Sequence, residues 1–210
     1  MISVIIPYNK DRGYLERCIE SIQIQQGVEF EIIMSHNDKP VSVNFNLGLA
    51  KAKGEFCKYV CEDDYLPQFA LMNLVQGIGD KDWAFANAIQ ESTDDKWIYR
   101  PGDYSKDFLT LQENLKTNRI HGGTTIYRTE LLKQIGGLDE MLWTAEEYDM
   151  HLKLWTAGHV PGYINKEVYI HTLWSGQKSK FYRKTKRHER DKEIKRIQSF
   201  YLNEIQSRDL

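Results

Sequence analysis

Short apolar runs alternate with segments of helical periodicity at the start of the chain. Residues 2–6 form an apolar, β-branched run that ends at Pro7, which is typical of a strand buried on both faces of a parallel sheet. The next segment repeats apolar side chains at helical spacing, namely Leu15, Cys18, Ile19 and Ile22. Residues 30–34 form a second apolar run. The opening therefore predicts a β-α-β unit with a right-handed crossover.

A third predicted strand leads directly into three consecutive acids. Residues 43–52 have helical character and end near Gly54, and residues 56–61 then predict a strand that runs into Glu62-Asp63-Asp64. In open parallel sheets, ligands bind at the carboxyl ends of the strands, where the loops lie over the crevice between the helix layers. We therefore expect the acidic triplet at a ligand-binding edge.

The middle of the chain predicts further elements around one region without a clear period. Residues 71–75 predict a helix and residues 83–88 a strand, whereas residues 91–118 are polar, aromatic and irregular. Residues 121–127 have the pattern of a strand flanked by glycines, and a short helix after it is expected to stop at Gly136.

The last part of the chain predicts two helices separated by a strand. The first helix is expected to begin near Thr144 and to end at Gly158, and residues 163–170 predict the strand. The terminal helix has one apolar stripe, made by Ile194, Ile197, Tyr201 and Ile205. The predicted fold class is α/β, with a mostly parallel, Rossmann-like central sheet flanked by helices.

Composition places the chain among ordinary globular proteins. Hydrophobic residues make up 41% and charged residues 28% of 210 positions, which excludes a disordered or fibrous chain and favours one α/β domain with an appendage. The three cysteines form no CxxC pair and no secretory leader is evident, so a disulfide framework or zinc site is not expected. Without an apolar run long enough to span a bilayer, we expect a cytoplasmic protein, either soluble or peripheral at the membrane.

The formal net charge of −2 conceals a basic segment. Between positions 178 and 196 there are ten Lys or Arg residues against three acids, on an otherwise acidic chain. This pattern indicates either an anionic partner, such as phosphate, nucleic acid or a lipid headgroup, or a solvated helix face.

The acidic triplet suits the chemistry of diphosphate leaving groups. Transfer of a glycosyl group from a nucleotide diphosphate builds negative charge on the departing diphosphate, and carboxylates that hold a hard divalent cation can neutralise it. One or two carboxylates at a strand end are sufficient for Mg²⁺ or Mn²⁺, which also bind substrate phosphates. An isolated acidic turn between a strand and a helix is, however, also a common surface feature.

Several motifs, in order over residues 1–175, resemble glycosyltransferase family 2, a group of GT-A-fold enzymes. They are an opening strand and loop at 3–9, a helix and turn at 46–56, the DxD-like element at 61–64, a Gly-Gly-Phe-Asp-Glu-like segment at 136–140 and a Glu-Asp-Trp-Asp-Leu-like helix at 146–154. The resemblance implies a single GT-A catalytic domain over 1–175, followed by a basic helical extension over 176–210.

The resemblance also implies a donor site and a metal site. The implied donor is a nucleotide-diphosphate sugar, with UDP favoured, and the implied cofactor is Mn²⁺ or Mg²⁺. In the implied roles, Asp63 contacts the ribose side of the donor, Asp64 coordinates the metal and Glu62 is a bystander. The residues expected to contact the nucleotide sugar are Pro7, Tyr8, Asn9, Ser35, Asp63, Gly122 and Gly123. The expected metal ligands are Asp64, Asp63 and His171.

Glu147 takes the position of the family's catalytic base. An inverting transfer needs a carboxylate that removes the proton of the acceptor hydroxyl, and a place in the first turn of a helix favours the ionised form. Glu146 and Asp149 are the next candidates. An alternative remains, because Thr144 to Glu147 also spells a capping box in which Glu147 only bonds the backbone of the cap.

Two departures from the family pattern concern recognition of the base. Ser35 stands where an Asp often recognises uracil, and Phe45 replaces an Arg of the following helix. A saccharide or lipid-linked glycan is the family's usual acceptor. The alternatives are a glycosyltransferase that modifies bases of DNA, with the basic segment on phosphates, and a non-catalytic module that binds sugar nucleotides or glycans.

Overall fold

The protein was analysed as a computed structural model, which describes residues 1–99, 110–177 and 184–208. Its strands are β1 Ile2–Tyr8, β2 Phe30–His36, β3 Phe56–Tyr59, β4 Trp83–Glu91, β5 Lys96–Tyr99, β6 Ile126–Arg128 and β7 Gly162–Thr172. Its helices are α1 Leu15–Gln23, α2 Val41–Lys51, α3 Ala70–Ile78, α4 Leu111–Lys116, α5 Thr129–Ile135, α6 Glu146–Thr156 and α7 Arg187–Arg208. A short 3-10 helix covers Gly122–Thr124.

One mixed sheet contains all seven of these strands. The order is β2-β1-β3-β6-β4-β5, and β7 pairs with β4. The pairs β1–β2, β1–β3 and β4–β7 are parallel, whereas β6 runs antiparallel to both β3 and β4. The predicted α/β class and the β-α-β opening are confirmed, and the antiparallel β6 joins the two parallel halves of the sheet.

Apolar side chains fill both faces of the sheet. Residues of β1 point alternately to the two sides, so that Val4 and Ile6 lie in the core against α1 and α3, while Ile5 lies in the core against α2 and α6. All three are fully buried. The continuous apolar run at the start of the chain is therefore explained by helices on both faces, as expected for a central parallel strand.

Three details of the predicted elements are different in the structure. The segment 121–127 was expected to be one strand, but it begins with the 3-10 helix, and the strand is limited to β6. The helix expected near Thr144 begins at Glu146. The region 91–118 contains β5 and α4, whose capping box at Thr110 was not foreseen, while residues 100–109 lie outside the described residues.

The predicted apolar stripe of the terminal helix is confirmed. Ile197 and Tyr201 of α7 are 2% and 5% exposed, and they pack in a cluster with Tyr148 and Leu152 of α6 and Leu115 of α4. The helix α7 therefore packs on α4 and α6 through its apolar stripe, and its charged faces do not take part in this packing.

This packing predicts that α7 contributes to the stability of the whole chain. Ile197→Ala should lower the free energy of unfolding by about 2–5 kcal/mol, because it removes buried methyl groups and leaves a cavity. Leu202→Ala on the same helix is the control, since Leu202 is 44% exposed. Chemical denaturation measures both variants, and equal effects would contradict docking through this stripe.

Candidate functional site

Asp64 is a buried carboxylate at the carboxyl edge of β3. It is 2% exposed, and its two oxygens accept hydrogen bonds from different groups of β7. The Tyr169 hydroxyl donates to Oδ2 at 2.7 Å, and the Thr172 backbone N–H donates to Oδ1 at 2.8 Å. Burial and the adjacent carboxylate of Asp63 raise the pKa of Asp64 well above its ordinary value. Asp64 is therefore held in a fixed orientation, and a nearby positive charge would stabilise its ionised form.

Asp63 is held by different contacts and is more exposed than Asp64. The Trp174 indole N–H donates to Asp63 Oδ2 at 2.9 Å. The Asp63 backbone carbonyl accepts from Arg17 Nη2 at 3.1 Å, and the same guanidinium nitrogen donates to Thr172 Oγ1 at 2.7 Å. These bonds join the acidic turn to α1 and to the segment after β7.

Glu62 has a separate partner. It forms an ion pair with Arg12, which lies in the loop after β1. Burial and Asp63 raise the pKa of Glu62, and the neighbouring guanidinium of Arg12 opposes that rise. An acid already paired in this way is less available to a ligand, which fits its predicted role as a bystander.

The carboxylates of Asp63 and Asp64 fit a hard divalent cation. Together with the Cys61 sulfur, they are a group of ligand atoms within 4.8 Å of one another. The Cys61 thiol donates to the Tyr59 hydroxyl at 2.9 Å, and burial followed by the charges of Asp64 and Asp63 raises its pKa well above the ordinary value. A protonated thiol is a poor ligand for Mg²⁺ or Mn²⁺, which prefer oxygen, so the two carboxylates are the better candidates.

His171 is not in that group of ligand atoms. Its ring lies 4.6 Å from the ring of His121, and the side-chain amide of Gln177 lies 3.2 Å from its Nε2. The expectation that His171 ligates the metal stays a prediction.

Glu147 occupies the first turn of α6, as predicted, and lies against the 3-10 helix. A Cβ atom at Gly122 would lie 2.8 Å from Glu147 Cγ and 3.0 Å from its Oε1. The charges of Asp64, Asp63 and Glu147 all contribute to the raised pKa of Cys61. Glu147 and the acidic motif are therefore both close enough to Cys61 for their charges to affect its pKa.

The capping-box alternative for Glu147 is wrong. The residue that caps α6 is Ala145, which has a left-handed backbone with φ of 61° and no side-chain hydrogen bond to the helix. Thr144 is therefore not the cap, and Glu147 does not stand at the third helical position that a capping box requires.

The other two base candidates have different surroundings from Glu147. Glu146 is buried, with 8% of its surface exposed. Asp149 accepts a hydrogen bond from the Tyr201 hydroxyl of α7 at 3.2 Å, and burial raises its pKa. The contact with Tyr201 gives Asp149 a role in holding the terminal helix.

Gly122 and Gly123 make room for the protein's own side chains. A Cβ at Gly123 would lie 2.3 Å from the Tyr169 ring, just as one at Gly122 would meet Glu147. The backbone of the turn therefore packs closely on Tyr169, which bonds Asp64, and on Glu147, the candidate base. Whether the turn also contacts a donor sugar stays a prediction.

Four of the residues predicted to contact the nucleotide sugar, Pro7, Tyr8, Asn9 and Ser35, lie at the ends of β1 and β2. Tyr8 stacks on His36, with ring centroids 4.6 Å apart, and Asn9 Oδ1 accepts from Arg12 at 3.2 Å. Pro7 pairs with Ser35 across the two strands. Ser35, however, is 3% exposed and faces Gly48 of α2, so its predicted contact with the nucleotide stays untested.

Several residues that build the site were missed by the sequence analysis. Asn44 is fully buried, and its amide nitrogen donates to the carbonyls of Tyr8 and Asn37 at 3.0 and 3.1 Å, which ties together the loops after β1 and β2. Tyr169, Trp174 and Arg17 hold the acidic motif. Only Asn44 had a signal, because a polar residue in the buried face of a predicted helix needs hydrogen-bond partners.

Comparison with known proteins gives sequence relatives of modest identity. No family model matches the chain. A Mycobacterium tuberculosis protein described only as uncharacterized is 28% identical over 196 residues, covering 73% of this chain and 61% of the relative. An uncharacterized glycosyltransferase of Rickettsia typhi is 26% identical over 201 residues, covering 81% and 63%. The chain thus spans about three-fifths of the length of the curated relatives it matches.

Solved structures share the fold. The crystal structure of S. aureus TarS 1-349 in complex with UDP aligns with a TM-score of 0.70 and 20% identity, over 95% of this chain and 64% of that chain. The complex of the same fragment with UDP-GlcNAc aligns with a TM-score of 0.68 and 20% identity, over 84% and 59%. The GT-A-like fold expected from the sequence is therefore confirmed.

The two glycines of the turn should respond differently to the same substitution. Gly122→Ala should cost less than about 2 kcal/mol of unfolding free energy, because the Glu147 side chain can turn away from the new methyl group. Gly123→Ala should cost about 3 kcal/mol or more, because the buried Tyr169 ring cannot move without losing its bond to Asp64. Denaturation curves of the two variants test this difference, and equal costs would contradict the packing.

Proposed function

We propose that the chain carries the catalytic domain of a glycosyltransferase that uses a UDP-sugar donor and a divalent cation. The observation that carries the proposal is the grouping of Asp63 and Asp64 after β3, together with Glu147, which packs on the turn at Gly122 and whose charge, like theirs, raises the pKa of Cys61. The UDP and UDP-GlcNAc bound by TarS in the same fold favour UDP as the nucleotide.

The donor site is assigned to the ends of β1, β2 and β3. The stacked rings of Tyr8 and His36 offer an aromatic surface beside which a nucleobase can lie. Asp63 and Asp64 would hold Mn²⁺ or Mg²⁺, and Asp64 is oriented for this by Tyr169 and Thr172. When bound, the cation neutralises charge on the diphosphate as it leaves.

The transfer is assigned to Glu147 as general base. Its carboxylate removes the proton of the acceptor hydroxyl while that oxygen forms a bond to the anomeric carbon of the sugar. The bond from that carbon to the diphosphate breaks, UDP leaves with the electron pair, and the proton stays on Glu147. Attack from the face opposite the diphosphate inverts the anomeric configuration.

The acceptor is proposed to be a hydroxyl of a saccharide or lipid-linked glycan. In the part of the chain that the structure describes, no helix is both long and apolar enough to cross a membrane. Residues 178–183, which carry three of the ten Lys or Arg residues of the basic segment, lie outside the described residues. A DNA acceptor would make activity depend on polynucleotide and fall steeply with salt, which separates it from the proposed acceptors.

The division into a catalytic domain over 1–175 and an extension over 176–210 is kept as part of the proposal. Packing of α7 on α6 supports an extension that is docked rather than detached. Its charged face contains the ion pairs Arg187–Asp191 and Arg196–Glu193, so part of its positive charge is already compensated.

Three substitutions test the assigned roles. Slow hydrolysis of a UDP-sugar in Mn²⁺ or Mg²⁺ should be abolished by a chelator and by Asp64→Asn, and Glu147→Gln should lower it about 10²- to 10⁴-fold. Glu146→Gln is the matched control, since it makes the same change one residue earlier and should retain most activity.

Undiminished turnover in Glu147→Gln would remove Glu147 as the base. No turnover by the wild-type protein with any UDP-sugar, combined with retained binding, would instead favour a module that binds sugar nucleotides without catalysis.

A further inference from the structure

Lys58 is a buried lysine in β3. It is fully buried and lies between Phe56 and Val60 on the face of the strand that packs in the core against α1 and α3. Both neighbours on that face are apolar, and burial of a charged side chain is costly unless its donors are satisfied. The position of Lys58 therefore calls for specific partners.

The partners of Lys58 belong to the candidate site. Its Nζ donates to the backbone carbonyl of Tyr59 at 2.8 Å and to the backbone carbonyl of Gly123, and it lies 5.0 Å from the centre of the Tyr169 ring. Burial lowers the pKa of Lys58 to about 7. Both the ammonium and the neutral amine can donate two hydrogen bonds, so the contacts to the two carbonyls do not depend on the charge.

Two chains of contact lead from Lys58 to the carboxylates. The first chain runs through Tyr169, against whose ring Lys58 packs. The Tyr169 hydroxyl donates to Asp64 at 2.7 Å and accepts from the Cys61 N–H at 3.2 Å. Through the Gly123 carbonyl Lys58 holds the 3-10 helix, whose Gly122 packs on Glu147. Both chains start from the Lys58 amino group; one ends at Asp64 and the other at Glu147.

We propose that Lys58 is a positioning residue that fixes the turn at 122–124, and with it Glu147, relative to Asp64. The proposal rests on the proposed function for its catalytic consequence, but its structural part stands on the contacts alone. A misplacement of about 1 Å at a catalytic group can lower a rate by about a hundredfold. Loss of the Lys58 contacts, which fix Glu147 relative to Asp64, should therefore lower the rate measurably.

The test is Lys58→Met, which keeps the length and apolar stem of the side chain and removes its donors. The kcat of UDP-sugar hydrolysis per folded molecule should fall about 10- to 100-fold while the KM for the donor changes less than about threefold, because Asp64 keeps its hydrogen bonds from Tyr169 and Thr172. Lys53→Met is the control, since it makes the same change on an exposed lysine five residues earlier.

Hydrogen exchange provides a readout that does not depend on activity. In Lys58→Met the amides of Gly123, Thr124 and Thr125 should exchange about tenfold faster or more, while amides of β1 keep their protection. These three N–H groups bond within the segment 121–125, so their exchange reports on that turn. A role limited to global stability would instead accelerate exchange in β1 and the turn together.

Each outcome decides between the alternatives. Faster exchange in the turn with lower kcat supports the proposal, whereas unchanged exchange and kcat would overturn it. If Lys58→Met does not fold, it is replaced by Lys58→Gln, which retains an amide donor. Failure of both variants to fold would overturn the proposal, because Lys58 would then be required for folding as a whole. If wild-type protein turns over no UDP-sugar, the proposed function fails, and the exchange data still decide whether Lys58 holds the turn.

Discussion

The burial of Asp64 is the constraint on which the arrangement of the site depends. A carboxylate with 2% exposure needs hydrogen-bond donors, and both of its donors come from β7, more than a hundred residues further along the chain. The bonds therefore fasten the end of β3 to the end of β7, across the boundary between the two parallel halves of the sheet. Trp174 and Arg17 complete the attachment by holding Asp63.

The same constraint explains why the turn at 122–124 is built from glycines. Tyr169 must lie beneath the turn to reach Asp64, and its ring occupies the space that a Cβ at Gly123 would need. With the turn held down on Tyr169 and on Lys58, Gly122 meets Glu147 from the first turn of α6. The candidate base and the candidate metal site are thus linked through the backbone of the turn and the buried ring of Tyr169.

The sequence was sufficient to predict most of the strands along the chain and the location of the acids after β3. Apolar runs and their lengths predicted β1, β2, β3, β4 and β7, and the strand before Glu62 placed the acids at the carboxyl edge. The start of α6 was misjudged because Thr144 offers a good local cap, whereas in the structure Ala145, with a left-handed backbone, stands before the first helical residue. Tyr169 and Lys58 could not be assigned, because their partners are far apart in sequence and a polar atom in an apolar strand does not reveal what it bonds.

The central claim is that Asp63 and Asp64 form a metal-dependent site for UDP. Isothermal titration of UDP into the protein tests it most directly, with Mn²⁺ and with chelator, on wild type, Asp64→Asn and Glu147→Gln. We predict binding in Mn²⁺ that weakens at least about tenfold with chelator or in Asp64→Asn, and that persists in Glu147→Gln, because the base contacts the acceptor rather than UDP. Equal affinity with and without metal, or in Asp64→Asn, would contradict the claim.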